Sequence, residues 1–225
     1  MPVTARAVLK ANRLFRDLPD ATLDKLAALA VRRSVRAGTR LFTEGAPGDS
    51  LIGLIAGEVR ISAETAEGGE IFLNVMQPGD SFGEIAVLDG HPRTASAQAV
   101  TNAELFVIRR ADLLALVERD ARLATQLLAL VCQRLRWASE LIEEAAFLPI
   151  EARLARRITR LLEERGAPRT EPPTLRVSQA ELATFLGVSR QMVNQCLQAW
   201  RRAGFVRLGR GQIAVTDVAG LRAAG

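Results

Sequence analysis

The chain has 225 residues, of which 48% are hydrophobic and 24% charged, and its formal net charge is +5. Its longest apolar stretches are too short to span a bilayer and its N-terminus lacks a signal-peptide core, so we expect a cytoplasmic protein of about two domains. His91 is the only histidine and neither cysteine has a metal-ligand neighbour, which disfavours an enzyme or a metal protein.

The first half of the chain changes from a helical to a β pattern. Apolar positions between residues 12 and 33 predict two short helices separated by Pro19 and Asp20. From residue 34 to 108, short β-branched or aromatic runs alternate with glycines, which predicts a β-barrel or roll with many turns. The clearest hairpin signal is Gly68-Gly69, between predicted strands at 61–65 and 71–76.

A helical period returns from residue 111 to 147. One apolar seam follows steps of three and four residues, through Leu128, Val131, Leu135, Ala138, Ile142 and Ala145. This heptad rhythm is typical of helices that pair, so it predicts a homodimer; the alternative is a single helix lying on its own domain. Pro149 ends the pattern, and we place a domain boundary and hinge at 147–149.

The last third of the chain predicts a helix-turn-helix followed by a hairpin. Residues 148–225 carry 13 arginines against six acidic residues, whereas residues 1–147 are slightly acidic. A helix at 150–164 and a proline-rich loop at 166–174 precede a capping box at Ser178, and Ser189 caps a second helix that runs to about Arg202. Two short strands at 205–208 and 212–215 form a wing, and a short helix closes the chain. Such a basic unit favours contact with DNA phosphate.

The second helix of this motif enters the major groove in DNA-binding proteins. Arg190 has the geometry to read guanine, while glutamine and asparagine side chains read adenine or bridge through water. We assign Met192, Val193 and Leu197 to the core side of this helix. The candidate DNA-binding residues are Gln179, Ser189, Arg190, Gln191, Asn194 and Gln195. The candidate backbone contacts are Arg153, Arg156, Arg157, Arg160, Arg207 and Arg210.

Residues 82–95, which read FGEIAVLDGHPRTA, suit a sugar phosphate. Gly83 lets backbone approach a ligand closely, and a helical turn from Glu84 to Leu88 would point its free amides at an anion. Arg93 supplies a charged, planar fork for phosphate oxygens, and Glu84 suits the hydroxyls of a ribose. The alternative is a structural salt bridge between Glu84 and Arg93.

The same string resembles the phosphate-binding cassette of cyclic-nucleotide-binding domains, and from about residue 12 to 220 the chain resembles the catabolite activator (CRP/FNR) family of transcription regulators. The resemblance implies that Gly83 and the amides of Ile85 and Ala86 cradle the cyclic phosphate. It also implies that Glu84 holds the ribose 2′-OH and that Arg93 pairs with the phosphate. Thr94 would then stand beside the phosphate and the purine.

The resemblance also implies an α+β fold in three parts: a cyclic-nucleotide-binding β-roll with flanking N-terminal helices at 1–110, a dimerisation helix at 111–147 and a winged helix-turn-helix domain at 148–225. Ligand binding would act allosterically on a homodimer that binds a two-fold symmetric DNA operator, with RNA polymerase as a further partner. Iron-sulfur members of the family carry an N-terminal cysteine cluster, and residues 1–131 contain no cysteine. His91 lies six residues past Ile85, the position that matches the haem ligand of the carbon-monoxide sensor. We therefore expect no metal, haem or iron-sulfur cluster.

Ligand identity is where this sequence departs from the family pattern. Members that respond to cAMP offer a Thr-Ser pair to adenine, and the matching positions here are Ala138 and Ser139. The Arg93-Thr94 pair also resembles cGMP-selective domains. We rank cAMP first, cGMP second and a regulator that acts without a ligand third.

Overall fold

Two antiparallel four-stranded sheets form the first half of the molecule. The computed structural model describes residues 5–64, 70–164 and 172–223 and divides the chain into two units, Met1–Trp137 and Ala138–Gly225. The strands of the first unit are β1 (Val31–Val35), β2 (Arg40–Phe42), β3 (Ser50–Ala56), β4 (Val59–Glu64), β5 (Glu70–Met76), β6 (Ser81–Phe82), β7 (Ser96–Ala99) and β8 (Ala103–Arg109). One sheet has the order β1-β8-β3-β6 and the other β2-β7-β4-β5.

Alternation along these strands explains the packing of the roll, because every second side chain faces the same side of a sheet. Leu54, Val59 and Leu105 are buried in one apolar cluster formed by strand residues. The predicted hairpin is confirmed by the pairing of β4 with β5, in which Glu64 stands opposite Glu70. Gly68 and Gly69 themselves lie outside the described residues.

Helices flank the roll: α1 (Ala5–Ala11), α2 (Asp20–Leu29), α3 (Glu84–Asp89), α4 (Arg110–Val117) and α5 (Ala121–Phe147). A second apolar cluster joins α1, α2, α4 and the start of α5 to the sheet through residues such as Phe15, Leu26 and Phe106. The β-roll with helices at its ends, the long helix and the C-terminal helix-turn-helix agree with the predicted α+β class.

Two of the predicted helices are wrong in their bounds. The first lies before residue 12, and residues 12–18 form turns in which the Asn12 carboxamide accepts the N–H of Leu14. The helix predicted from 111 to 147 is two helices, because the Asp120 side chain accepts the N–H groups of Arg122 and Leu123 and starts α5 anew.

The second unit contains the end of α5 and a small helical domain. Its elements are α6 (Ile150–Glu164), β9 (Thr174–Arg176), α7 (Gln179–Leu186), α8 (Arg190–Ala203), β10 (Val206–Gly209), β11 (Gln212–Val215) and α9 (Val218–Ala223). β9 extends the predicted hairpin to a three-stranded sheet with the order β10-β11-β9. One apolar core joins α6, α7, α8 and this sheet through residues that include Ile158, Leu197 and Ile213.

Candidate ligand and DNA sites

A glycine turn begins the ligand-site segment. Gly83 has a φ of +83°, in the left-handed region that favours glycine, and α3 starts directly after it. A Cβ at this position would lie 2.5 Å from Nη1 of Arg93, so a larger side chain would displace the arginine. Ile85 is partly exposed in the first turn of α3, whereas Ala86 is buried. The predicted helical turn is therefore present, and Gly83 lies close to the Arg93 guanidinium.

Arg93 is buried beside this turn, with only 3% of its surface exposed. Its Nη1 donates to the Gly83 carbonyl at 2.9 Å, and its Nη2 donates to the Ser50 carbonyl at 2.8 Å and to Asp49 Oδ1 at 3.2 Å. Its guanidinium carbon lies 4.3 Å from the centroid of the Phe42 ring. Burial lowers the pKa of Arg93 below its ordinary value, and the Asp49 carboxylate opposes this shift.

The Nε of Arg93 is buried and has no hydrogen-bond acceptor among the residues that the structure describes. A buried donor of this kind costs free energy unless a partner reaches it. The guanidinium is thus held in place by backbone carbonyls while one donor remains for an anionic oxygen. A positively charged guanidinium with one unfilled donor fits a phosphate oxygen.

Glu84 is also buried, but its partner is an arginine that the sequence analysis missed. Arg134 of α5 donates from Nε to Glu84 Oε1 at 3.1 Å and from Nη2 to the Ser81 carbonyl at 3.0 Å. No hydrogen bond or ion pair joins Glu84 to Arg93 among the described contacts, so the alternative of a structural bridge between them is not observed. Arg134 is 50 residues from Glu84 in sequence, and only the long helix brings it to the site.

The remaining predicted ligand residues are exposed. Thr94 follows Arg93 with its side chain at the surface, and Ser139 lies exposed on α5 within the second unit. Within the first unit, the charged residues Glu84 and Arg93 lie on either side of Gly83 in the contacts described, each with its own partners.

The helix-turn-helix begins with the predicted capping box. Ser178 Oγ accepts the Glu181 N–H at 3.1 Å, and the Glu181 carboxylate accepts the Ser178 N–H at 2.8 Å. Gly187 adopts a φ of +65° after α7, and Ser189 Oγ accepts the Met192 N–H to start α8. These two caps set the turn between the helices, as the sequence predicted.

One face of α8 is buried and the other is exposed. Val193 and Leu197 are fully buried, while Met192 is 40% exposed, so its assignment to the core is wrong. Asn194 is half-buried and accepts a hydrogen bond from Gln198, and Gln179 is half-buried at the start of α7. The exposed candidates are Ser189, Arg190, Gln191 and Gln195.

The four arginines of α6 that are candidate DNA-backbone contacts each lie against another group of the protein. Arg153 donates to the Leu186 carbonyl, and the Arg157 guanidinium lies over the Phe185 ring. Arg156 and Arg160 form ion pairs with glutamates of α5. The wing arginines, Arg207 and Arg210, are exposed as expected.

Among the described residues, no helix is long and apolar enough to cross a membrane, and no group of three metal-ligating side chains is present.

Two family models match the chain. Residues 32–120 match the cyclic nucleotide-binding domain, and residues 152–224 match the Crp-like helix-turn-helix domain. The cyclic AMP receptor protein of Thermus thermophilus is 33% identical, over 94% of this chain and 95% of its own. A CRP-like cAMP-activated global transcriptional regulator of Mycobacterium tuberculosis is 32% identical, over 80% of this chain and 81% of its own. The solved structure of the c-di-GMP responsive regulator CLP of Xanthomonas campestris is similar with a TM-score of 0.77 and 25% identity, covering 88% of this chain and 99% of CLP.

Proposed function

Because the chain belongs to the CRP/FNR family of transcription regulators and has a cyclic nucleotide-binding domain and a Crp-like helix-turn-helix domain, we propose that a cyclic nucleotide controls its binding to DNA allosterically. The first candidate ligand is cAMP, which the relatives from Thermus thermophilus and Mycobacterium tuberculosis carry in their names. The observation that carries the proposal is the buried Arg93 with its unpaired Nε beside Gly83.

The proposed site uses the side chains as follows. Arg93 pairs with the cyclic phosphate and Gly83 gives the backbone room, with the amides of Ile85 and Ala86 facing the same group. Glu84 accepts the ribose 2′-OH, and Thr94 and Ser139 are proposed contacts of the purine. A charge-assisted contact to Arg93 has to compete with Asp49, which is exposed and therefore weakly held.

Arg134 connects this site to α5 within the first unit. Arg134 donates hydrogen bonds to Glu84 and to the Ser81 carbonyl. A ligand hydroxyl that donates to Glu84 would therefore compete with Arg134 for this carboxylate. A ligand shifts a conformational equilibrium only by its differential affinity for the two states. We propose that this contact is one source of that difference.

The proposed assembly is a homodimer paired along α5. Leu128, Leu135 and Ile142 are 65%, 67% and 69% exposed, an unusual state for large apolar side chains repeated every seven residues. Two recognition helices would then read two half-sites. A single helix of this size makes too few contacts for specific binding, so the dimer is needed. We propose three parts for the chain: the roll at 1–110, the helical region at 111–147 and the DNA-binding domain at 148–225. We also propose RNA polymerase as a partner and the cytoplasm as the location.

Two other ligand assignments have specific support. The Arg93-Thr94 pair favours cGMP, and the structural likeness to CLP, a c-di-GMP responsive regulator, favours a cyclic dinucleotide. Calorimetric titration of the intact protein with cAMP, cGMP, c-di-GMP and 2′-deoxy-cAMP tests the assignment. We expect cAMP to bind most tightly and its 2′-deoxy form more weakly, because Glu84 would lose a hydrogen bond. Binding of none of the four would leave the regulator that acts without a ligand.

A further inference from the structure

Two ion pairs connect the last turns of α5 to α6. Arg160 Nη2 lies 2.9 Å from Glu140 Oε2, and Arg156 Nη1 lies 3.6 Å from Glu144 Oε1. The two glutamates are four residues apart and lie on neighbouring turns of one face of α5. The two arginines are likewise four residues apart and lie on neighbouring turns of one face of α6. The two pairs therefore form an antiparallel ladder across the turn at Pro149.

The two ion pairs of the ladder involve Arg156 and Arg160, which carry the most accessible positive charge of α6. Arg153 and Arg157 are held by the Leu186 carbonyl and the Phe185 ring. The side chains of Arg156 and Arg160, in contrast, keep 56% and 32% of their surface exposed. These two arginines are the cations of α6 best placed to meet a solvent-borne polyanion, and both of them are matched by a carboxylate.

We propose that Glu140 and Glu144 form an autoinhibitory clasp that withholds Arg160 and Arg156 from the DNA backbone. The proposal rests on the proposed function, in which arginines of the second unit attract DNA phosphate. Carboxylate and phosphate oxygens compete for the same guanidinium N–H groups, so an arginine held by glutamate makes one phosphate contact fewer. Both arginines and Glu140 are partly exposed, so salt screens the Arg160–Glu140 pair and it opens at little cost, whereas the Glu144 side chain keeps only 16% of its surface exposed and holds Arg156 more firmly.

The clasp is tested by the binding of the full chain to random-sequence duplex DNA, measured by fluorescence anisotropy over a salt series. The Glu140→Gln/Glu144→Gln variant is expected to bind roughly three- to tenfold more tightly at low salt, because neither carboxylate then competes with DNA phosphate for Arg160 and Arg156. The salt dependence is expected to steepen, since Arg156 and Arg160 then release counterions from DNA.

Glu143 supplies the matched control. It is exposed, adjoins Glu144 in sequence and forms no ion pair among the described contacts. Glu143→Gln removes the same charge as Glu144→Gln, so the clasp predicts a larger gain for Glu144→Gln. Equal gains in the two single variants, or weaker DNA binding in the double variant, overturn the clasp. Thermal unfolding of each variant confirms that it is folded.

The Arg156→Gln/Arg160→Gln variant separates the clasp from the function on which it rests. We expect this variant to bind DNA more weakly and with a flatter salt dependence. If it binds like the wild type, these arginines are not phosphate contacts and both ideas fail at this helix. If it does bind more weakly, adding Glu140→Gln/Glu144→Gln is expected to have no further effect. A gain that persists without the arginines shows that the glutamates act through general repulsion, which overturns the clasp alone.

Discussion

Arg93 illustrates how a single side chain serves the fold and the proposed ligand together. Its donors hold the carbonyls of Gly83 and Ser50, which belong to two different segments of the roll. These bonds orient the guanidinium before any ligand arrives, so that binding has little ordering cost at this residue. The same bonds mean that a substitution affects local structure as well as affinity.

Replacing Arg93 by alanine is expected to weaken cAMP binding by about 2 kcal/mol, the usual size of a lost hydrogen bond to a charged group. Calorimetry measures the affinity. Arg109→Ala is the control, because that arginine is exposed and pairs only with Asp112 among the described contacts. An Arg93→Ala variant that is folded and keeps the wild-type affinity would remove the phosphate assignment.

Arg190 is exposed in the first turn of α8, where a helix in the major groove reaches base edges. Arg190→Ala is expected to cost about 1–3 kcal/mol per half-site and to relax the preference for one guanine. Arg207→Ala, on the wing, is expected to weaken binding to all DNA sequences by the same factor. Affinities on the selected operator, on its single-base variants and on random DNA distinguish the two. An equal loss on every sequence for Arg190→Ala would make it another backbone contact.

At the scale of helices and strands, the elements with local signals could be predicted from the sequence. The capping box at Ser178, the cap at Ser189 and the heptad seam of α5 each depend on residues within a few turns of one another. β9 was missed because three residues in a proline-rich region carry too short a pattern, and its pairing with β11 is set by the fold.

The parts of the site that were missed depend on contacts between distant segments. Neither periodicity nor spacing indicates that Arg134 reaches Glu84, or that the arginines of α6 meet glutamates of α5. An arginine on a helix is usually a solvated residue, and only the packed structure shows which of them has a carboxylate partner. Met192 was misassigned because helical periodicity does not show how wide the buried face of α8 is. Met192 is 40% exposed, although Val193 beside it is fully buried.

The break between α4 and α5 has a measurable consequence for stability. The pKa of Asp120 lies below its ordinary value, chiefly because the Thr22 hydroxyl donates to its carboxylate and then because the Leu123 N–H does so. A carboxyl with a lowered pKa in the fold stabilises the protein fully above its unfolded-state pKa, and this contribution is lost as the pH falls through the folded value.

Replacing Asp120 by asparagine keeps a side chain that can cap α5 but removes the carboxyl group that titrates. We expect the variant to have a lower Tm than the wild type at neutral pH, and the difference to shrink as the pH falls below the ordinary range of a carboxyl group. Thermal unfolding over a pH series measures this, with Glu118→Gln as an exposed control nearby. A difference that stays constant down to acidic pH would rule out the charge of Asp120 as the cause.

The proposed DNA-binding protein consists of two chains paired along α5. Replacing Leu135 and Ile142 by glutamate is expected to give monomers, because each substitution would bury an unpaired charge at the helix pair. Ala129→Glu/Gln133→Glu adds the same charges at exposed positions off the seam and is expected to remain dimeric. Sedimentation decides between them. A Leu135→Glu/Ile142→Glu variant that stays dimeric at micromolar concentration would place the interface elsewhere.

In the proposed function, nucleotide binding in the roll changes the affinity of the helix-turn-helix for DNA. The most direct test measures the operator affinity of the intact protein with and without saturating cAMP, beside the cAMP affinity with and without operator. Allosteric coupling is reciprocal, so both ratios have to agree, and we expect each to be at least about fivefold. A protein that binds cAMP and operator with no effect of either on the other would contradict the account.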